Sequence, residues 1–130
     1  MRDCQIRDPY QIHFILEYCE KIQRNLERIH YNKAIFDDEY ERQDLLSFYL
    51  LQIGEHANNL SERMRLETDA QIHWKQIRGM RNRIAHAYEG VNMQIVWAIV
   101  VEEIPALRQF CESYLQRYPV HEAVEEDDNF

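Results

Sequence analysis

Apolar residues recur along much of this chain at alternating steps of three and four, the spacing that returns side chains to one face of a helix. Ile12, Ile15, Cys19, Ile22, Leu26 and Ile29 form a first such stripe. Asp8-Pro9 predicts its start, because Asp caps unpaired N–H groups and Pro suits the first helical position. A second helix should begin near Asp37 or Asp38, with Leu46, Leu50, Ile53, Ala57 and Leu60 as its stripe. Leu45, Phe48, Tyr49 and Leu51 widen that stripe, so this helix is expected to be the most buried. Gly54 lies in its interior at a cost of about 1 kcal/mol relative to Ala, which close approach of a neighbouring helix would offset. Residues 61–72 carry no sustained pattern and read as a polar connection with one short helical turn. Trp74 then opens a third helix, on which Ile77, Met80, Ile84 and Ala87 face inward and which Gly90 stops. Asn92 caps a fourth, with the stripe Met93, Trp97, Val100, Ile104, Leu107, Cys111 and Tyr114. Pro105 should kink it and Pro119 end it.

Four amphipathic helices with short links bury their stripes most simply as an up-down four-helix bundle, here with room for one extra short helix. The chain has 130 residues, 45% of them apolar, enough for one core and no second domain. The domain is expected to span 1–119, with 120–130 as an acidic, mobile tail. Three Gly and three Pro are too few for the corners of a β-sandwich or barrel, so the fold class is all-α. Cys4, Cys19 and Cys111 are odd in number and far apart, which points to reduced core thiols rather than disulfides or a zinc site. Neither an export segment nor a membrane-spanning run is evident, and a cytoplasmic protein is expected.

A formal net charge of −8 argues against a protein that coats nucleic acid through a broad basic face. The charge is unevenly placed, however. Acids crowd the last nine residues, whereas Lys75, Arg78, Arg81 and Arg83 gather on the third helix, leaving room for a local anion site there. Arg81, Asn82, His86 and Tyr88 share a polar side of that helix. Arg81 and Tyr88 are seven residues apart and fall almost in line, while the step of five from Arg81 to His86 turns about 140°. That angle is too wide for the two side chains of one chain to converge easily. Either the helix loosens before His86, or a second copy completes the site.

Such a set suits phosphodiester cleavage. Arginine matches two phosphate oxygens and stabilises developing charge, which makes Arg78, Arg81 and Arg83 candidate phosphate-binding residues. Histidine titrates near neutral pH, so His86 can take a proton from a ribose 2′-hydroxyl or deliver one to the leaving oxygen. With the 2′-hydroxyl as internal nucleophile no metal is required. The bland alternatives are a solvated arginine face and a histidine settled at a helix C-terminus. His13, His30, His56, His73 and His121 show no pairing that suggests a metal and read as structural.

The stretch Trp74 to Tyr88, with Gly90-Val91-Asn92 and Val96-Trp97 after it, closely resembles the HepT-like family of the HEPN group of small helical proteins. The family pattern is Arg, four residues, His, one residue, Tyr, commonly with Asn after the Arg. Arg81, Asn82, His86 and Tyr88 match it position by position, and Ile53-Gly54-Glu55 also looks like the family. The resemblance implies a metal-independent endoribonuclease, the toxin of a toxin–antitoxin pair, with transfer RNA among the family's substrates. It implies a symmetric homodimer that brings both motifs into one cleft, with Arg81 and His86 as the catalytic pair and Asn82 orienting the site. The antitoxin would be a minimal nucleotidyltransferase that uses ATP to place AMP on Tyr88, no cofactor being needed by the chain itself. Phosphate charge and nucleotide bulk beside Arg81 would then keep RNA out. The competing implication is a non-catalytic module that docks the nucleotidyltransferase and binds nucleotide without cutting RNA.

Overall fold

The computed structural model describes the backbone of residues 2–120 and the side chains of residues 7–120. The Cys4 side chain, His121 and the rest of the acidic tail after Val120 lie outside what the structure describes. Every member of the first apolar stripe is buried, and these residues sit on α1, Arg2–Arg28, with Ile29 just past its end. The helix does not begin at Asp8-Pro9. Pro9 lies inside it, and the buried Asp8 carboxylate is used elsewhere, accepting bonds from Ser61 N at 2.8 Å and Ser61 Oγ at 2.6 Å. The helix runs back through Asp8 to Arg2, so Asp8 is not at a helix end to be capped.

A short α2, Lys33–Asp38, precedes the long α3, Tyr40–Asn58. Gln43 joins them by donating to the carbonyls of Phe36 and Asp37 at 2.9 and 3.2 Å, and so satisfies the end of α2. On α3, Leu46, Leu50, Ile53 and Ala57 are fully enclosed. Leu45 and Phe48 are not: they stay exposed, with Tyr49 and Leu51 half-buried, so the widened stripe does not all enter the core of this chain. The polar connection contains more than one turn, a seven-residue helix α4, Glu62–Thr68, capped by Ser61 Oγ on Met64 N.

The third helix is broken in two at Gly79, into α5, Trp74–Arg78, and α6, Met80–Glu89. Gly54 explains how closely they lie on α3: a Cβ there would stand 2.9 Å from Met80 Cβ and 3.2 Å from the Ile77 carbonyl oxygen. The fourth stripe folds as α7, Gln94–Ala98, a π-helical segment Ile99–Glu103, and α8, Ile104–Arg117. Proline has no N–H to donate and its ring crowds the carbonyl four residues back. The chain answers by widening the turn before Pro105, so that Ile104 N–H reaches Ile99 O, five residues away.

α1 packs between α3 and α8, α3 packs on α5 and α6, and α6 closes onto α7, giving the expected helical bundle. The buried Cys19 and Cys111 are free thiols whose pKa values burial pushes up, as core thiols should be. Among the described residues no helix is long and apolar enough to cross a membrane.

Candidate active site

The site forms where α6 lies along the outer side of α3. Arg81 Nη2 donates to Glu55 Oε1 at 2.8 Å, and seven residues on, the Tyr88 hydroxyl donates to the Asp44 carboxylate and to Ser47 Oγ at 3.3 Å. The order of partners shows that α3 and α6 run antiparallel. Along α3 between these two contacts come the exposed Phe48 and the half-buried Leu51.

At the Arg81 end there is a pocket of about 360 Å³, lined by Leu51, Gly54, Glu55, Asn58, Arg78, Gly79, Arg81 and Asn82. Its polarity follows from the packing around Gly54. Because α3 and α5–α6 meet there without a side chain between them, the flanking Glu55, Asn58, Arg78 and Arg81 are drawn together at the rim. Arg78 Nε donates to Asn58 Oδ1 at 3.0 Å, a partner that brings no opposing charge. The Arg81 side chain is 78% exposed, so its single carboxylate contact leaves most donors free for an anion.

The candidate residues part company here. Arg78 and Arg81 line the pocket and Asn82 joins them. Arg83 does not: its guanidinium makes a two-bond pair with the Glu103 carboxylate on the π segment, on the other flank of α6. His86 is exposed, and among the described residues nothing engages its ring. The helix does not loosen between Arg81 and His86, since both lie within the unbroken α6. One of the two ways of closing the 140° gap is therefore removed.

Tyr88 is 44% exposed, yet its hydroxyl is held. Burial first, and the bond to Asp44 second, raise its pKa above the ordinary value. Of the remaining histidines, His56 is held in the packing. His56 stacks on Phe14 with ring centres 5.0 Å apart and shares a 2.7 Å hydrogen bond with Gln11 Oε1, and burial lowers its pKa. Among the described residues no three His, Cys, Asp or Glu side chains converge to hold a metal ion.

Two residues that sequence reasoning left without a role, Glu55 and Asp44, are the direct partners of Arg81 and Tyr88. They are eleven positions apart on α3, which places them on one line of that helix. That spacing was available beforehand, but only the register of α3 against α6 shows that it matches the Arg81–Tyr88 line.

The family described as ribonuclease HepT-like matches residues 15–114. A protein of Caldanaerobacter subterraneus subsp. tengcongensis, named as a candidate RNase, is 34% identical over 84% of this chain and 94% of its own length. A candidate ribonuclease HepT of Thermococcus cleftensis is 34% identical over 43% of this chain and 50% of its own. A candidate RNase of Methanocaldococcus jannaschii is 26% identical over 65% and 80% respectively. No solved structure matches the chain.

Proposed function

Because the chain belongs to the HepT-like ribonuclease family, we propose that it is a metal-independent endoribonuclease, the toxin of a two-gene pair, built as a symmetric homodimer. The observation that carries this reading is the unbroken α6. It holds Arg81 and His86 about 140° apart, so one chain does not bring both to one phosphate, and a second copy supplies the missing group. The exposed Leu45 and Phe48 on α3 supply apolar surface for that second copy to cover.

In this reading Arg81 and Arg78 hold the scissile phosphate, Asn82 orients it, and His86 of the second copy moves a proton. Tyr88 is the acceptor of AMP, donated from ATP by a minimal nucleotidyltransferase antitoxin. The residue is partly exposed, and modification would place a phosphate beside Asp44 on the same side of α6 as Arg81, where it repels RNA.

The test is complementation. Arg81→Ala and His86→Ala are expected to be inactive alone. Mixed equally and allowed to exchange, half the dimers are heterodimers with one intact composite site of two, and about one quarter of wild-type cleavage should return. No recovery, despite demonstrated exchange, would place the whole site within one chain and sink the dimeric mechanism. Cleavage of RNA by neither the wild type nor the mixture, in the presence of EDTA, would favour the docking-module reading instead.

A further inference from the structure

We infer that Glu55 is a third catalytic group, the base that takes the proton from the ribose 2′-hydroxyl, which leaves His86 as the acid. The inference rests on the ribonuclease reading above. It starts from an oddity of charge: the pocket that gathers Arg78 and Arg81 also contains a carboxylate in direct contact with the arginine expected to bind phosphate. An anion site gains nothing in affinity from a fixed negative charge at its rim. Nor is the pair there for stability, because both side chains are exposed, at 78% and 51%, and such pairs contribute little. The arrangement makes sense if the carboxylate reacts.

Geometry supports this. Glu55 Oε1 lies 2.8 Å from Arg81 Nη2, so a phosphodiester held by that guanidinium presents its adjacent ribose within reach of the same carboxylate. Glu55 is anchored next to Gly54, where α3 packs tightly on Met80 of α6, so its backbone has little freedom to shift. A single chain thus supplies phosphate clamp and base, and the second copy supplies the acid. The earlier ambiguity over whether His86 gives or takes a proton is thereby resolved.

The step balances without any further reactant. The Glu55 carboxylate accepts the 2′-hydroxyl proton as O2′ forms a bond to phosphorus. The bond from phosphorus to O5′ breaks, and O5′ takes a proton from the His86 imidazolium. The products are one RNA ending in a 2′,3′-cyclic phosphate and one beginning with a 5′-hydroxyl. Solvent then removes the proton from Glu55 and returns one to His86.

Two substrates separate the roles: a random-sequence single-stranded oligoribonucleotide pool, and the same pool with sulfur replacing the bridging 5′ oxygen at its central linkage. Sulfur leaves without protonation, so it relieves loss of the acid but not of the base. Glu55→Gln keeps an acceptor for Arg81 and should bind the pool as the wild type does while kcat falls by about 100-fold or more. Glu55→Asp should recover part of that loss. On the sulfur pool, His86→Ala should regain most of the wild-type rate and Glu55→Gln should not. Cleavage by Glu55→Gln at or above the wild-type rate would show that Glu55 merely competes with phosphate, and overturn the inference. Relief of Glu55→Gln by sulfur would put the residue on the leaving-group side and overturn it equally. If wild type cleaves neither this pool nor total transfer RNA, the ribonuclease reading itself fails, and the role of Glu55 with it. Matching thermal melts of the variants and wild type exclude misfolding as the cause.

Discussion

The two flanks of α6 carry the same pair of residue types and use them differently. On one, Arg83 makes a two-bond pair with Glu103, and both side chains are about two-thirds or more buried, at 27% and 30% exposure. On the other, Arg81 reaches Glu55 through one bond in the open, at the rim of a pocket. The first pair ties α6 to the π segment ahead of α8. The second holds nothing together, so its charge is free to act on a ligand. An arginine-rich run does not by itself tell a structural arginine from a working one; what surrounds each does.

That contrast predicts opposite phenotypes, and the largest effect is on the open flank. Arg81→Ala should lower RNA cleavage by at least about 100-fold, the usual cost of removing a donor to transition-state charge, with thermal stability close to wild type. Arg83→Ala should leave Glu103 half-buried without its partner and destabilise the fold by about 1–3 kcal/mol, lowering Tm by several degrees, while cleavage per folded molecule changes much less. A loss of activity in Arg83→Ala without a loss of stability would undo the distinction and restore Arg83 as a phosphate ligand.

Between the flanks lies the contact that sets the register, and Gly54→Ala tests it. The new methyl would meet Met80 Cβ and the Ile77 carbonyl, both fixed to the backbone, so α3 and α6 must separate. Overpacking of this kind costs about 1–3 kcal/mol, partly offset by the better helix propensity of Ala. Cleavage should fall as well, because Glu55 moves relative to Arg81. A variant that melts at lower temperature yet cuts at full rate would mean that the Glu55–Arg81 distance does not matter.

The helical stripes and the requirement for a small residue at position 54 were legible in the sequence because both are set by local period and steric bulk. Helix boundaries were not. Asp8-Pro9 has the chemistry of a helix start, but Ser61, far along the chain, engages Asp8, and the helix continues back to Arg2. The break at Gly79 and the π turn before Pro105 are adjustments to neighbours that no periodicity records. The site divides in the same way. Arg81, Asn82, His86 and Tyr88 could be read from spacing, whereas their partners Glu55 and Asp44, and the diversion of Arg83 to Glu103, depend on how two helices slide against each other.

Tyr88 gives a smaller test of the α3-facing flank. Tyr88→Phe should keep RNA cleavage but no longer accept AMP, and it should lose about 0.5–1.5 kcal/mol with the bond to Asp44. The sign of the pH dependence follows from the raised pKa of the phenol. A group whose folded pKa lies above its unfolded value contributes fully below that unfolded value, here 10.0, and loses the contribution as pH climbs through the folded one. The stability gap between wild type and Tyr88→Phe should therefore be constant near neutrality and close above about pH 10. A gap that persists into strong base would mean that the hydroxyl bond is not what stabilises this end of α6.

The smallest effect is expected just past the site, where α6 ends. Gly90 was the expected stop, and the helix does end at Glu89, but the left-handed position is taken by Val91, with φ of 48°. Asn92 N–H bonds to Ala87 O at 2.8 Å and Val91 N–H to Tyr88 O at 3.2 Å, a closing pattern in which glycine usually fills the Val91 place. A β-branched residue is strained there by about 1–2 kcal/mol, and its side chain, 89% exposed, gains no packing in return. Val91→Gly should relieve that strain at some cost in unfolded-chain entropy, for a net gain of about 0.5–1 kcal/mol in chemical denaturation. Because Val91 lies on neither flank, cleavage should not change. If stability rises but activity drops, the strain is holding Tyr88 and the end of α6 in place, and the open flank extends one turn further than its charged residues indicate.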